Sequence, residues 1–295
     1  MIKQDILVSV ILPVYNQAHT LEAALQSVRN QSVENWECVI VDDGSTDSSA
    51  EIAKRFSESD TRFIYVYQKN RGVSAARNQA LSLAKGRFIQ FLDGDDVLEK
   101  EKWQLQLDWL TKQNQPSVSY SDYYRFDKDP VTDRKWFRMS PLFSEQEPLR
   151  DLILKWETET SVPGNCFLFD ARFFKDYRIS FDESLPNHVD WDCWIQVFSF
   201  KPPIQYINEK LAGYRLHTGG ITGNLARMRK GFLKAIKKQI AASEPESPKR
   251  RWLEMKYQET QYRFAPWSLL YWRRYYWYVK NRILLIIETA GRSLP

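Results

Sequence analysis

Three cysteines, three histidines and eleven glycines in 295 residues leave this chain poor in the residues that staple or ligate small folds. Cys38, Cys166 and Cys193 lie far apart among apolar neighbours, which excludes a disulfide framework and a CxxC zinc site and reads as buried free thiols. No run reaches the roughly 20 apolar residues of a spanning helix, so no transmembrane segment is expected. The opening strand-like run has no basic region before it and no small-residue cleavage site, so no signal peptide is read and cytoplasmic synthesis is expected. Internal repeats are also lacking.

What the chain does have is apolar content, 43%, enough for a substantial core. Its net charge of +5 conceals an asymmetry. From Ala226 onward 16 Lys/Arg face 5 Asp/Glu, a balance of +11, which leaves 26 against 32, or −6, for the first 225 residues. Tail and body therefore face different partners.

Along the first hundred residues, strands and single helices alternate. Ile6 to Tyr15 reads as an apolar strand, and Leu21, Ala24, Leu25 and Val28 recur at helical spacing. Trp36 to Val41 is a second strand, ending in DDGSTDSS, before a helix carrying Ile52, Ala53 and Phe56. Phe63 to Tyr67 leads through NRGVS into AARNQALSLAK, a helix whose end Gly86 marks, and FIQFLD follows as the fourth strand. This rhythm predicts an α/β fold with a Rossmann-like, mostly parallel sheet flanked by helices. Beyond it, KEKWQLQLDWL is read as a helix, Ser117 to Phe126 as a strand, Asp127 to Pro148 as a mobile loop over the cleft or a plain surface insertion, SVPGNCFLFDARFF as strand then helix, and VDWDCWIQVF as an amphipathic helix.

In such sheets ligands sit at the carboxyl ends of the strands, where Pro13–Tyr15, Asp42–Asp43 and Asp93–Asp95 all fall. FIQFLDGDD is the most telling stretch: an apolar strand stops in three carboxylates. On an extended segment Asp93 and Asp95 point the same way, with Gly94 permitting a tight turn, a seat for a hard divalent cation.

PVYN at Pro13–Asn16, VDDGSTD at Val41–Asp47, GVSAARN at Gly72–Asn78, FLDGDD at Phe91–Asp96, DWDCW at Asp190–Trp194 and YRLH at Tyr214–His217 occur in one order. Together, over about Asp5 to Gly220, they resemble the family 2 glycosyltransferases of GT-A fold. The resemblance implies that Asp42 or Asp43 binds the nucleotide base, with Pro13 and Tyr15 lining the same pocket and Arg77 supporting it. It implies that Asp93 meets the ribose or the metal, and that Asp95 coordinates Mn2+ or Mg2+ on the diphosphate of a nucleotide-sugar donor, with a UDP-sugar expected. His217 matches a position that approaches that metal or diphosphate.

The base for the acceptor hydroxyl falls on Asp190, and a single base implies inversion. Here the family's usual Glu-Asp pair is Val189-Asp190, so Asp192 is the reserve candidate; a carboxylate at a helix start also serves as a cap. His188 lies beside the base and within reach of acceptor, His19 reads as surface, and Trp191 and Trp194 suit either a sugar face or the core. Three segments follow: a nucleotide-sugar-binding half at 1–115, an acceptor-binding half at 116–223, and a basic, aromatic-rich helical extension at 224–295.

In that extension, RMRKGFLKAIKKQI reads as a helix, and Trp and Tyr then alternate with Arg and Lys toward the C-terminus. Aromatics and cations on one face suit an anionic membrane surface, which points to a peripheral position on the inner face of the cell membrane. Packing on the body or an oligomer interface is the alternative, and no nucleic-acid partner is expected because no recognised module accompanies the basic residues. The expected role is synthesis of a cell-surface polysaccharide or glycolipid from a saccharide or lipid-linked acceptor. A sugar nucleotidyltransferase shares the sheet and cation chemistry but expects a Gly-rich phosphate loop after the first strand, which PVYNQAHT lacks. A noncatalytic sugar-nucleotide-binding or scaffold subunit is the remaining alternative, and oligomeric state is left open.

Overall fold

The computed structural model describes residues 6–135, 143–144, 146–216 and 225–262. The first half repeats strand and helix: β1 (Val8–Val14), α1 (Leu21–Arg29), β2 (Trp36–Asp42), α2 (Ser49–Ser59), β3 (Phe63–Tyr67), α3 (Val73–Leu83) and β4 (Phe88–Phe91). Every residue of β1, β2 and β4 is buried, which is why these strands read as unbroken apolar runs. β2 and β4 lie parallel on either side of β1, and β3 pairs parallel outside β2 at the sheet edge, where it is only partly buried.

The remaining elements are β5 (Val97–Leu98), α4 (Lys102–Leu110), β6 (Val118–Phe126), α5 (Pro148–Leu154), β7 (Phe167–Asp170), α6 (Arg172–Lys175), α7 (Val189–Ser199), β8 (Ile204–Arg215), α8 (Leu225–Ala241) and α9 (Pro248–Tyr262). One sheet runs β3-β2-β1-β4-β7-β6-β8-β5. β7 is antiparallel to β4 and to β6, β5 is antiparallel to β8, and β6 and β8 are parallel. The parallel sheet expected from the strand–helix rhythm thus continues into a mixed half, and segments 1–115 and 116–223 share it.

Two details differ from the sequence reading. α3 stops at Leu83 with Ala84 as its cap, and Gly86 serves another purpose. A Cβ there would lie 2.6 Å from the Ser9 nitrogen, and the Gly86 N–H donates to Ser9 Oγ at 2.7 Å, so glycine is needed for close approach to β1. The segment after Asp127 begins tied down: Arg215 Nη1 donates to the carbonyls of Asp127 and Lys128 at 3.0 and 2.8 Å. Residues 136–142 and 145, the centre of the expected loop, lie outside the described residues, and the segment ends where α5 begins.

Described residues after 224 are docked on the body. α8 packs on α7, and α9 packs on α5 and α8. Asp192 of α7 is fully buried; its Oδ2 accepts from Lys238 Nζ and its Oδ1 from Gln239 Nε2, each at 2.7 Å. Among the described residues no helix is long and apolar enough to cross a membrane. The three cysteines are free and buried.

Replacing Lys238 with Ala strips a buried carboxylate of its cation, so Lys238→Ala lowers the unfolding free energy by about 2 kcal/mol, read as a lower urea midpoint at unchanged m.

Candidate active site

β4 ends at Phe91, and the acidic stretch after it is a tight turn rather than extended chain: the Asp96 N–H donates to the Asp93 carbonyl at 3.1 Å. The turn, not strand alternation, gathers Asp93, Asp95 and Asp96 so that a ligand oxygen of each lies within 4.8 Å of the others. At Gly94 a Cβ would lie 2.5 Å from Gln17 Oε1 in the loop after β1, so a side chain there displaces the end of Gln17. Asp96 anchors the cluster, a role the sequence reading did not assign. Its Oδ1 accepts from the Arg215 N–H at 2.9 Å and its Oδ2 from Asn165 Nδ2 at 3.2 Å. Burial, and then the neighbouring charges of Asp95 and Asp93, push its carboxyl well above the ordinary range.

Arg215 also donates from Nε to the Asp95 carbonyl at 2.9 Å, so β8 holds the turn from the mixed side of the sheet. It stands inside the YRLH motif, where sequence reasoning had a signal and passed over it. This all-oxygen donor set fits a hard divalent cation, with Asp93 and Asp95 partly exposed and Asp96 buried behind them.

At the end of β2, Asp42 and Asp43 are both buried and both engaged. Asp42 accepts from the Ser45 N–H at 2.8 Å and from Tyr65 OH at 2.9 Å; burial first, then Asp42, raises the Tyr65 phenol to about 12. Asp43 accepts from Gln68 Nε2 at 2.7 Å and from the N–H groups of Arg71 and Gly72, each at 2.8 Å, which fixes the start of α3. Pro13 is buried within β1 opposite Val41, whereas Tyr15, just past the strand, is half-exposed. Thr46 N–H to Asn16 Oδ1 at 2.8 Å and Gln17 N–H to Ser49 Oγ at 2.8 Å lace the loops after β1 and β2 together.

Arg77, on α3, joins the acidic turn to α7. Its guanidinium, 5% exposed, donates from Nη2 to Asp93 Oδ1 at 2.7 Å and from Nη1 to Asp190 Oδ1 at 2.6 Å. The side chain expected beside the nucleotide base therefore contacts both the cation-side turn and the candidate base. Asp190 keeps 38% exposure toward solvent, yet the surrounding protein desolvates it and raises its carboxyl; Arg77 opposes that rise and Asp93 adds to it.

Asp192 faces the opposite way, into α8, and so stands apart from Asp190. Trp191 and Trp194 are core: the Trp191 Nε1–H donates to the Leu152 carbonyl at 3.0 Å, and Trp194 stacks on Phe169 with centroids 4.5 Å apart. His188, immediately before α7, is inward-facing; its Nε2 lies 3.0 Å from Glu157 Oε1 and its ring stacks on Phe232 of α8 at 4.2 Å. His19 is exposed, and His217 lies outside the described residues.

With this geometry in place, the comparisons with known proteins agree on a class. The family described as "Glycosyl transferase family 2" matches residues 9–178, and the chain belongs to it. It is similar to the Streptococcus pneumoniae glycosyltransferase GlyA, 30% identical over 231 residues that make up 73% of this chain and 31% of that one. To the Bacillus subtilis "putative teichuronic acid biosynthesis glycosyltransferase TuaG" it is 30% identical over 219 residues, 74% of this chain and 82% of the relative. The chain therefore spans under a third of one of these relatives and most of the other. Solved structures share its GT-A fold: S. aureus TarS in complex with UDP-GlcNAc (20% identity, TM-score 0.62, covering 87% of this chain and 72% of that one), and a Pyrobaculum calidifontis mannosyltransferase in complex with GDP-Man and Mn2+ (17%, 0.62, 86% and 70%).

A carboxyl that binds its proton more tightly folded than unfolded costs stability as pH rises from about 4, the unfolded value, through the raised folded one. The melting temperature of Asp190→Asn relative to that of wild type is accordingly higher at pH 7 than below pH 4, and a difference that does not change with pH overturns the raised carboxyl.

Proposed function

We propose that this protein transfers a sugar from a UDP-sugar to an acceptor hydroxyl with inversion at the anomeric carbon. The observation that carries the reading is the Arg77 guanidinium, which holds Asp190 and Asp93 at 2.6 and 2.7 Å and so fixes the base and the acidic turn as one unit. Asp42 or Asp43 receives the nucleotide base, beside Tyr15 and over buried Pro13. Asp93 meets the ribose or the metal, Asp95 coordinates Mn2+ or Mg2+, and His217 joins the metal side. When bound, the cation offsets the negative charge that develops on the departing diphosphate.

Asp190, with its carboxyl raised, accepts the proton of the incoming hydroxyl, whose oxygen attacks opposite the nucleotide. Arg77 keeps that carboxylate aimed at the cleft. The donor occupies the parallel half of the sheet, 1–115, and the acceptor the mixed half, 116–223. Support for the donor and the ion comes from the TarS complex with UDP-GlcNAc and the mannosyltransferase complex with GDP-Man and Mn2+. Support for a role in cell-surface polysaccharide or glycolipid synthesis comes from TuaG.

UDP with Mn2+ raises the melting temperature in this reading, because a ligand at 100 times its Kd adds about 2.7 kcal/mol to the folded state. Asp95→Ala loses the Mn2+-dependent part of the shift. Asp190→Asn keeps it while transfer falls by about 10²- to 10⁴-fold. Unimpaired transfer by Asp190→Asn removes the base assignment, and a chain that no nucleotide stabilises removes the whole reading.

The basic, aromatic-rich residues after Tyr262 contact the inner face of the cell membrane in this account. A chain ending at Tyr262 keeps α8 and α9 and isolates that contribution. It floats less with anionic vesicles than the full chain does; equal flotation assigns the segment to another role.

A further inference from the structure

We infer that the cavity between α8, α9 and the turn at 156–158 is a subsite for one neutral sugar ring of the acceptor, an inference that rests on the glycosyl-transfer reading. The cavity has a volume of about 240 Å³. That is below the ~300–1,000 Å³ of pockets for drug-sized ligands and suits a single ring rather than a chain.

Its position relates it to the chemistry. Phe232 and Glu157, both in its wall, hold His188 together with Asn187, whose Oδ1 lies 2.6 Å from His188 Nδ1, and His188 stands two residues before Asp190. Glu157 and His188 both adopt left-handed backbone, with φ of 57° and 56°. For non-glycine residues that conformation is costly and persists only where the surroundings impose it, a pattern that clusters at ligand-binding sites.

Its lining decides the ligand class. Glu157, Arg229, Lys256 and Glu259, with two threonine hydroxyls, set charged and polar groups into a lining that is otherwise mostly apolar, a mixture that bare hydrocarbon does not match. An anion is disfavoured as well, because the cations are engaged. Lys256 Nζ donates to the carbonyls of Leu154 and Trp156 at 3.3 and 2.6 Å and pairs with Glu259 at 3.3 Å, while Arg229 Nη2 donates to the Gln261 carbonyl at 2.7 Å. What fits is a neutral polyhydroxyl group, with the partly exposed Trp156 ring offering aromatic surface and the carboxylate oxygens accepting from hydroxyls.

Saturation-transfer NMR on the full chain, saturated with UDP to close the donor site, tests this with the methyl glycosides of glucose, galactose and N-acetylglucosamine as probes. At least one probe binds the wild type, and both Met228→Trp, which fills the cavity, and Trp156→Ala, which removes an aromatic wall, weaken it about tenfold without changing UDP affinity. Absence of binding by all three probes overturns the inference, as does wild-type affinity in both variants with unaltered melting temperature. Failure of UDP to bind instead counts against the glycosyl-transfer reading, and the same titration without UDP still measures the cavity.

Discussion

A cation buried between two carboxylates governs this site. The Arg77 guanidinium lies almost wholly out of water, where an unpaired charge would be prohibitive, so Asp93 and Asp190 are as necessary to Arg77 as it is to them. The three groups belong to α3, the turn after β4, and the first turn of α7. Their mutual dependence turns separate elements into a single geometry. Asp43 extends the chain of constraint by holding the N–H groups of Arg71 and Gly72, so the end of β2 determines where α3 starts and hence where Arg77 reaches.

The mixed half of the sheet supports the same geometry from below. Asp96, Asn165 and Arg215 tie the acidic turn to β7 and β8 through buried hydrogen bonds, and Gln90 Nε2 donates to the Asn165 carbonyl at 3.0 Å from within β4. Lys102 belongs to this polar interior: its Nζ donates to the Cys166 carbonyl at 3.2 Å, and burial lowers its ammonium to about 7. Gln90, Lys102, Gln106 and Asn165, hydrogen-bonded to one another and to carbonyls, show how much of the scaffold beneath the site is polar.

Legibility in the sequence followed burial. β1, β2 and β4 are covered on both faces, so their apolar runs declared them and placed Asp42, Asp43 and Asp93 at their ends. β8 did not declare itself, because Asn208 and Glu209 are exposed and Leu211, Ala212 and Gly213 alone are buried within it; β5 is too short to carry a pattern. Arg77 was visible within GVSAARN but not its reach to Asp190, since the pair are 113 positions apart and meet only through the fold. Asp190 and Asp192 were inseparable for the related reason that both sit in one helical turn. What parts them is α8, whose Lys238 and Gln239 claim one carboxylate and leave the other to Arg77.

The matched family region ends at residue 178, before α7 and before the helices that clamp it. Within that region β4 meets β7 through a short seam, the pairing of Phe88 with Asp170 and Ile89 with Phe169. Asp42, Asp43, Asp93 and Asp95 thus lie inside the matched region and Asp190 outside it. Under the proposed roles, a lineage can keep its way of holding an activated sugar and redraw, in α7, α8 and α9, what receives it, with Arg77 as the coupling that any new arrangement must preserve.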